Sequence, residues 1–134
     1  MSLFKNLFGS NDAEKSKEEK VEKSVPWKQL TNIDQLTTIK EKSHQKMQVI
    51  FKHSTRCGIS RMVLRNFEAQ FDTSTEQVDL YYLDLLNYRA ISSEISAIFQ
   101  VYHESPQLII IKNGTTVYHA SHSDIEAEVL SQYV

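Results

Sequence analysis

An α/β domain is what this sequence predicts: a mixed sheet of four to five strands with helices on both faces. Three observations predict it. Short runs rich in β-branched and aromatic residues alternate with segments whose apolar residues recur every three or four positions. Asn113-Gly114 separates two of the short runs, a strong hairpin signal because both residues tolerate positive φ. The chain has 134 residues, 40% hydrophobic and 24% charged, which suits one ordinary globular domain.

The elements follow in order. Trp27–Leu30 reads as a short edge strand, and Asn32–Ser43 as a helix with Ile33, Leu36 and Ile39 on one side. Met47–Lys52 is a compact apolar run, hence a buried strand. Ile59, Met62, Val63, Phe67 and Phe71 form a helical stripe. Val78–Leu83 is a strand, and Ile91, Ile95, Ile98, Phe99 and Tyr102 mark the next helix. Gln107–Lys112 and Thr115–His119 are the two strands of the hairpin. Ser123 and Glu126 have the spacing of a capping box, which predicts a last helix with Ile125, Val129 and Tyr133 inward. Strands joined through helices are expected to pair in parallel by right-handed crossovers, and the hairpin to add an antiparallel strand.

Residues 1–24 read as a flexible N-terminal tail and 25–134 as the domain. Residues 10–24 carry one large apolar side chain, Val21, too little to offset the entropy of ordering. Leu3, Phe4, Leu7 and Phe8 make a small apolar patch of i, i+4 spacing, suited to docking on a partner or a membrane surface. There is no long apolar core of a secretory signal and no run of about 18 apolar residues for a membrane span. A cytoplasmic protein without integral membrane association is therefore expected.

Charge and cysteine count exclude several functions. A formal charge of −2 argues against nucleic acid as a partner. A single cysteine excludes an internal disulfide, a Cys-x-x-Cys pair and a four-cysteine zinc site. No phosphate loop or dinucleotide fingerprint occurs. His53, His103, His119 and His122 invite a metal reading with Cys57, but His119 and His122 straddle a strand end, where that spacing does not set ligand geometry. No metal is expected.

Cys57 follows a strand and opens a helix, where backbone N–H groups lack internal partners and the helix dipole is positive. Cysteines at such places ionise more readily than a free cysteine, whose pKa is about 8.5, and the thiolate is the species that exchanges with disulfides. Between Glu41 and Glu68 there is no carboxylate, while Lys42, Lys46, Lys52, Arg56, Arg61 and Arg65 all fall there. Such a cationic zone favours a thiolate and attracts an anionic small thiol. His53, four residues upstream, is a candidate base or hydrogen-bond donor, and Pro106 stands just ahead of a buried strand.

These residues carry a resemblance. A strand, then Cys57-Gly-Ile-Ser60 on a helix, then Ser105-Pro106 before a strand and an Asn-Gly hairpin, resembles the thioredoxin superfamily. That resemblance implies a thioredoxin-like fold with a cis Ser105–Pro106 bond close to Cys57. Lys52-His-Ser-Thr-Arg-Cys-Gly-Ile-Ser60, Glu104-Ser-Pro-Gln107 and His119-Ala-Ser-His122, in that order, are more closely similar to the YtxJ-like monothiol bacilliredoxins of the bacillithiol redox system. Gly58 stands where proline is common in that family, which makes the motif similar also to the Cys-Gly-Phe-Ser of monothiol glutaredoxins, carriers of a [2Fe-2S] cluster between two chains. The Gly-Gly and Cys-Asp-Asp segments of those glutaredoxins are missing.

The bacilliredoxin resemblance implies a monothiol thiol–disulfide oxidoreductase. Cys57 attacks a client protein's mixed disulfide, and Ser60 replaces the resolving cysteine. No cofactor is expected, only bacillithiol or a related small thiol as co-substrate, with S-thiolated client proteins as partners of a monomer. Ser60 Oγ and the backbone N–H groups of Ile59 and Ser60 are expected to meet the sulfur. Backbone groups near Ser105 are expected to hold the substrate as an added strand. Arg56, Lys52 and Arg61 are expected to meet the malate carboxylates of bacillithiol. The competing readings are an iron–sulfur carrier and a non-catalytic thioredoxin-like binding module.

Overall fold

The computed structural model describes residues 25–73 and 76–134. The tail and its Leu3, Phe4, Leu7 and Phe8 patch lie outside the described residues. The elements run β1 (Lys28–Gln29), α1 (Asp34–Lys42), β2 (Met47–His53), α2 (Gly58–Gln70), β3 (Val78–Asp84), α3 (Arg89–Phe99), β4 (Gln107–Lys112) and β5 (Thr115–Ser121), then two 3-10 turns, His122–Asp124 and Ala127–Gln132. The five strands form one mixed sheet in the order β1-β3-β2-β4-β5.

β1 and β2 both run parallel to β3, as crossover connections require. β4 departs from the expected rule. Although it is joined to β3 through α3, it lies antiparallel to β2, with Lys52 opposite Gln107 and Gln48 opposite Ile111. The physical reason is the connection after α3: Gln100 adopts the left-handed conformation (φ 57°) and ends the helix. The chain then returns through residues 101–106 and enters the sheet from the opposite end. Tyr102, expected on the helix's inner stripe, is instead 91% exposed in this connection.

The sheet divides the core. On one face Val49, Phe51, Leu80, Leu108 and Ile110 pack against Val63 and Phe67 of α2, Phe71 just past it, and Ile125, Ala127 and Leu130. On the other, Ile50, Tyr81, Leu83, Ile109 and Ile111 pack against Leu36 and Ile39 of α1 and Ile91, Ile95 and Phe99 of α3. The central strands β2 and β4 are buried on both faces, which explains their near-continuous apolar runs. The true inner stripe of α2 is Ser60, Val63 and Phe67. Ile59 (59% exposed) and Met62 (53%) share a neighbouring outer stripe instead of packing inward. Ile33 is likewise exposed, just ahead of α1.

The hairpin turn has positive φ at both Asn113 (54°) and Gly114 (82°). Ser43, just past α1, secures it: its carbonyl accepts from Asn113 N–H at 2.8 Å and its hydroxyl oxygen from Gly114 N–H at 2.8 Å. The expected last helix does not form. Ser123 lies inside the first 3-10 turn, and Ile125 and Glu126 are extended, so the capping box cannot close. Burial of Ile125 against α2 and donation of Ala127 N–H to Gln70 Oε1 (3.2 Å) hold the chain out of that helix.

At the sheet end opposite Cys57, Asp79 accepts from Gln48 Nε2 (2.9 Å) and pairs with Lys28 (3.1 Å) and Lys46 (3.2 Å). Burial raises its carboxyl pKa, but these hydrogen bonds together outweigh burial and hold it at about 2. Because the folded value lies below the unfolded one, the stabilisation is complete above about pH 4 and is lost as pH falls towards 2. Urea unfolding of Asp79→Asn should lack an acid-dependent increment on the order of 2 kcal/mol that the native chain shows. Parallel stability curves for the two chains between pH 6 and pH 2 would contradict this.

Candidate active site

β2 ends at His53, and the chain crosses residues 54–57 to reach α2, which is capped by Cys57 itself (φ −106°, ψ 122°). The Cys57 side chain makes no cap hydrogen bond, so the expected contacts from the Ile59 and Ser60 N–H groups to the sulfur are not formed, and no carboxylate occupies the first turn. The thiol is free and half-buried. Cys57 N–H donates to Ser54 O at 3.2 Å and Cys57 O accepts from Arg61 N–H at 3.0 Å, which closes the loop onto the helix. Arg61 Nη1 also reaches back to Thr55 O (3.2 Å). That guanidinium flanks Gly58 as well: a Cβ built there meets Arg61 Nη2 at 3.7 Å. Arg61 thus lies over the loop that carries the sulfur, and Arg56 is its neighbour in the chain.

Two other cations of the sequence zone are elsewhere. Lys46 lies at the far end of β2, paired with Asp79. Lys52 is a correction: it is 0% exposed, and strand alternation turns it to the face opposite α2, where its Nζ lies 2.7 Å from His103 Nδ1. It is not placed to meet a carboxylate of an incoming thiol. Burial lowers its pKa to about 8, partly countered by Glu104.

Ser60 is fully buried, and its hydrogen bonds run inward. Its Oγ accepts from Ser54 N–H (3.1 Å) and lies 2.8 Å from His53 Nδ1. The expected bond from this hydroxyl to the sulfur is replaced by one that ties α2 to the end of β2. His53 is a supporting residue of the same kind, buried against Tyr82 with ring centroids 5.6 Å apart. Burial lowers its pKa; Asp84 and Glu68 raise it and Arg61 lowers it. Beneath α2, Trp27 packs on Phe51, Phe67 and Tyr82 at 5.7–6.0 Å and donates its indole N–H to Glu68 Oε2 (2.7 Å).

The Ser105–Pro106 bond is cis. Because β4 begins opposite Lys52, this dipeptide and the 54–57 loop leave the same end of the sheet. Ser105 Oγ is buried without a hydrogen-bond partner among the described residues, and Pro106 O accepts from His122 N–H at 3.1 Å. Gln107, also fully buried, gives its Nε2 to Tyr102 O (2.9 Å) and its Oε1 accepts from Glu104 N–H (3.4 Å). Sequence reasoning did not single out Gln107 or the structural use of His103. The available signal was two long polar residues, Lys52 and Gln107, inside runs that otherwise read as fully buried strand. Among the described residues no group of three His, Cys, Asp or Glu comes together as metal ligands, and no helix is long and apolar enough to cross a membrane. A cleft of about 860 Å³ lies between the end of α2 and the C-terminal turns, lined by Gln70, Phe71 and Leu130 and not by Cys57.

A mixed five-stranded sheet with one cysteine capping the helix after its central strand, and a cis-proline at the same sheet end, defines a thioredoxin-fold protein of the one-thiol kind. Solved structures share the fold. One described as "A putative oxidoreductase with a thioredoxin fold" is 33% identical, with a TM-score of 0.66 over 78% of this chain and 89% of that one. Thioredoxins of Malassezia sympodialis and Trypanosoma brucei brucei share the fold at 20% and 21% identity, each with a TM-score of 0.59; they cover 81% and 79% of this chain, and 88% and 85% of their own. Residues 28–130 match the monothiol bacilliredoxin BrxC family, and the chain belongs to it. The family and the fold support a role of the thiol–disulfide oxidoreductase type.

Proposed function

We propose that the protein removes bacillithiol, or a similar small thiol, from mixed disulfides on client proteins. One observation carries the reading: Cys57 is a half-exposed N-cap with Arg61 folded over its loop, in a chain with no second cysteine. The Cys57 thiolate attacks the small thiol's sulfur in the mixed disulfide. The client sulfur leaves as a thiolate and takes up a proton. The small thiol is then disulfide-linked to Cys57 until a second small-thiol thiolate attacks that bond, regenerating Cys57 and forming a symmetrical disulfide. Free N–H groups at the start of α2 stabilise the sulfur anion, and Arg56 and Arg61 attract the carboxylates of the co-substrate. The exposed Ile59 and Met62 offer apolar contact to a client beside the sulfur. The protein works as a monomer in a reducing cytoplasm, without a bound cofactor.

The test supplies the purified protein with an S-bacillithiolated reporter and follows both by mass spectrometry. The expected result is release of the reporter thiol with a bacillithiol-sized mass added at Cys57. A reporter that stays modified, with Cys57 unmodified, overturns the reading. Protein purified brown and dimeric would replace it with cluster transfer.

A further inference from the structure

A lysine amine with no exposure is costly unless the fold uses it, because neither an ammonium nor an unpaired amine is tolerated in an apolar interior. Among the described residues Lys52 Nζ has one hydrogen-bond partner, His103 Nδ1. A protonated lysine only donates, so Nδ1 accepts and the ring proton sits on Nε2. Ser92 Oγ of α3 lies 3.4 Å from the same nitrogen. Gln107, beside Lys52 in the sheet and on the same face, spends both ends of its amide on Tyr102 and Glu104. Glu104 is in turn bonded to Ser121 of β5. Three consecutive residues, Tyr102, His103 and Glu104, are therefore each gripped from the sheet, all three from the two buried strand positions Lys52 and Gln107. They lead directly into Ser105 and Pro106 on the side of the sheet end where Cys57 lies.

We propose that Lys52 is a positioning residue: acting through His103 from the face of the sheet opposite Cys57, it holds segment 102–106 in the place where an extended disulfide substrate is presented to the sulfur. The inference rests on the thiol-exchange reading for its consequence in catalysis. Lys52 touches neither substrate nor sulfur. Its lowered pKa is in keeping with an amine desolvated on the interior side of the segment.

The test compares Lys52→Met, which keeps an unbranched apolar stem of similar length, with His103→Ala, whose exposed ring puts the fold at little risk. With an S-thiolated protein substrate, each variant should raise KM roughly tenfold, as expected for a misplaced binding segment. The double variant should be no worse than the more affected single one, because both changes remove the same bond. Alkylation of Cys57 by iodoacetamide, which needs no bound strand, should keep its rate and pH profile. Unchanged KM, additive losses, or alkylation slowed by the same factor as exchange would each overturn the proposal. Amide hydrogen exchange separates the positioning from the thiol chemistry. In Lys52→Met the amide of Glu104, which donates to Gln107 Oε1 in the native chain, should exchange faster while the β2–β3 ladder is unchanged, even if the native protein proves inactive on mixed disulfides. An unaltered rate at that amide overturns the positioning itself. Should Lys52→Met fail to fold, His103→Ala carries both measurements.

Discussion

Exchange activity in Cys57→Ser should fall by at least about a thousandfold, because a serine hydroxyl is not ionised at neutral pH and no second cysteine stands in for it. Stability should change little, within about 0.5 kcal/mol, since the thiol is half-buried and makes no cap hydrogen bond to the helix. The measurement is release of a small thiol from a modified reporter, run beside urea unfolding of the same samples. Activity retained within tenfold would place the chemistry on another group and leave the cysteine as a cap residue only. A large loss of stability would recast Cys57 as a structural element of the 54–57 loop.

Truncating Phe67 should cost about 3–5 kcal/mol, the range for a large aromatic removed from a closed core. Phe67 is fully buried and its ring meets those of Trp27, Phe51 and Phe71 at 5.5–6.1 Å. Removing it leaves a void between α2 and β2, the two elements that bracket Cys57. The thermal midpoint of Phe67→Ala should fall by roughly 10–20 °C. A shift of only a degree or two would mean that the helix does not depend on this cluster. In that case the position of Cys57 would have to be secured mainly by the Ser60–His53 and Arg61–Thr55 bonds.

The alternation of strand and helix, the hairpin at Asn113-Gly114, and the placement of Cys57 between β2 and α2 were all legible in the sequence, because each rests on local signals. These are apolar periodicity, turn residues that tolerate positive φ, and a residue type at a strand-to-helix junction. The motif around Cys57 and the Ser-Pro-Gln segment likewise led to the right family. What failed were inferences that required knowing which surface an element meets. Ile59 and Met62 belong to an apolar stripe by spacing, yet packing selects Ser60, Val63 and Phe67 as the inner line. The Ser123–Glu126 spacing is a valid helix start, but burial of Ile125 and the Gln70 bond to Ala127 hold the backbone out of it.

By itself, then, the order of residues determined the strands, the first three helices, the single cysteine and the cations next to it in the chain, since these depend on neighbours a few positions away. Only the tertiary structure decided that β4 enters antiparallel beside β2, that Lys46 belongs to Asp79, and that Lys52 reaches inward to His103 and away from the sulfur. A linear run of positive charge does not say which side of a sheet each charge takes. Strand alternation puts Lys52 and His53 on opposite faces, and desolvation makes the partner found there, not the net charge of the segment, the factor that sets each one's role.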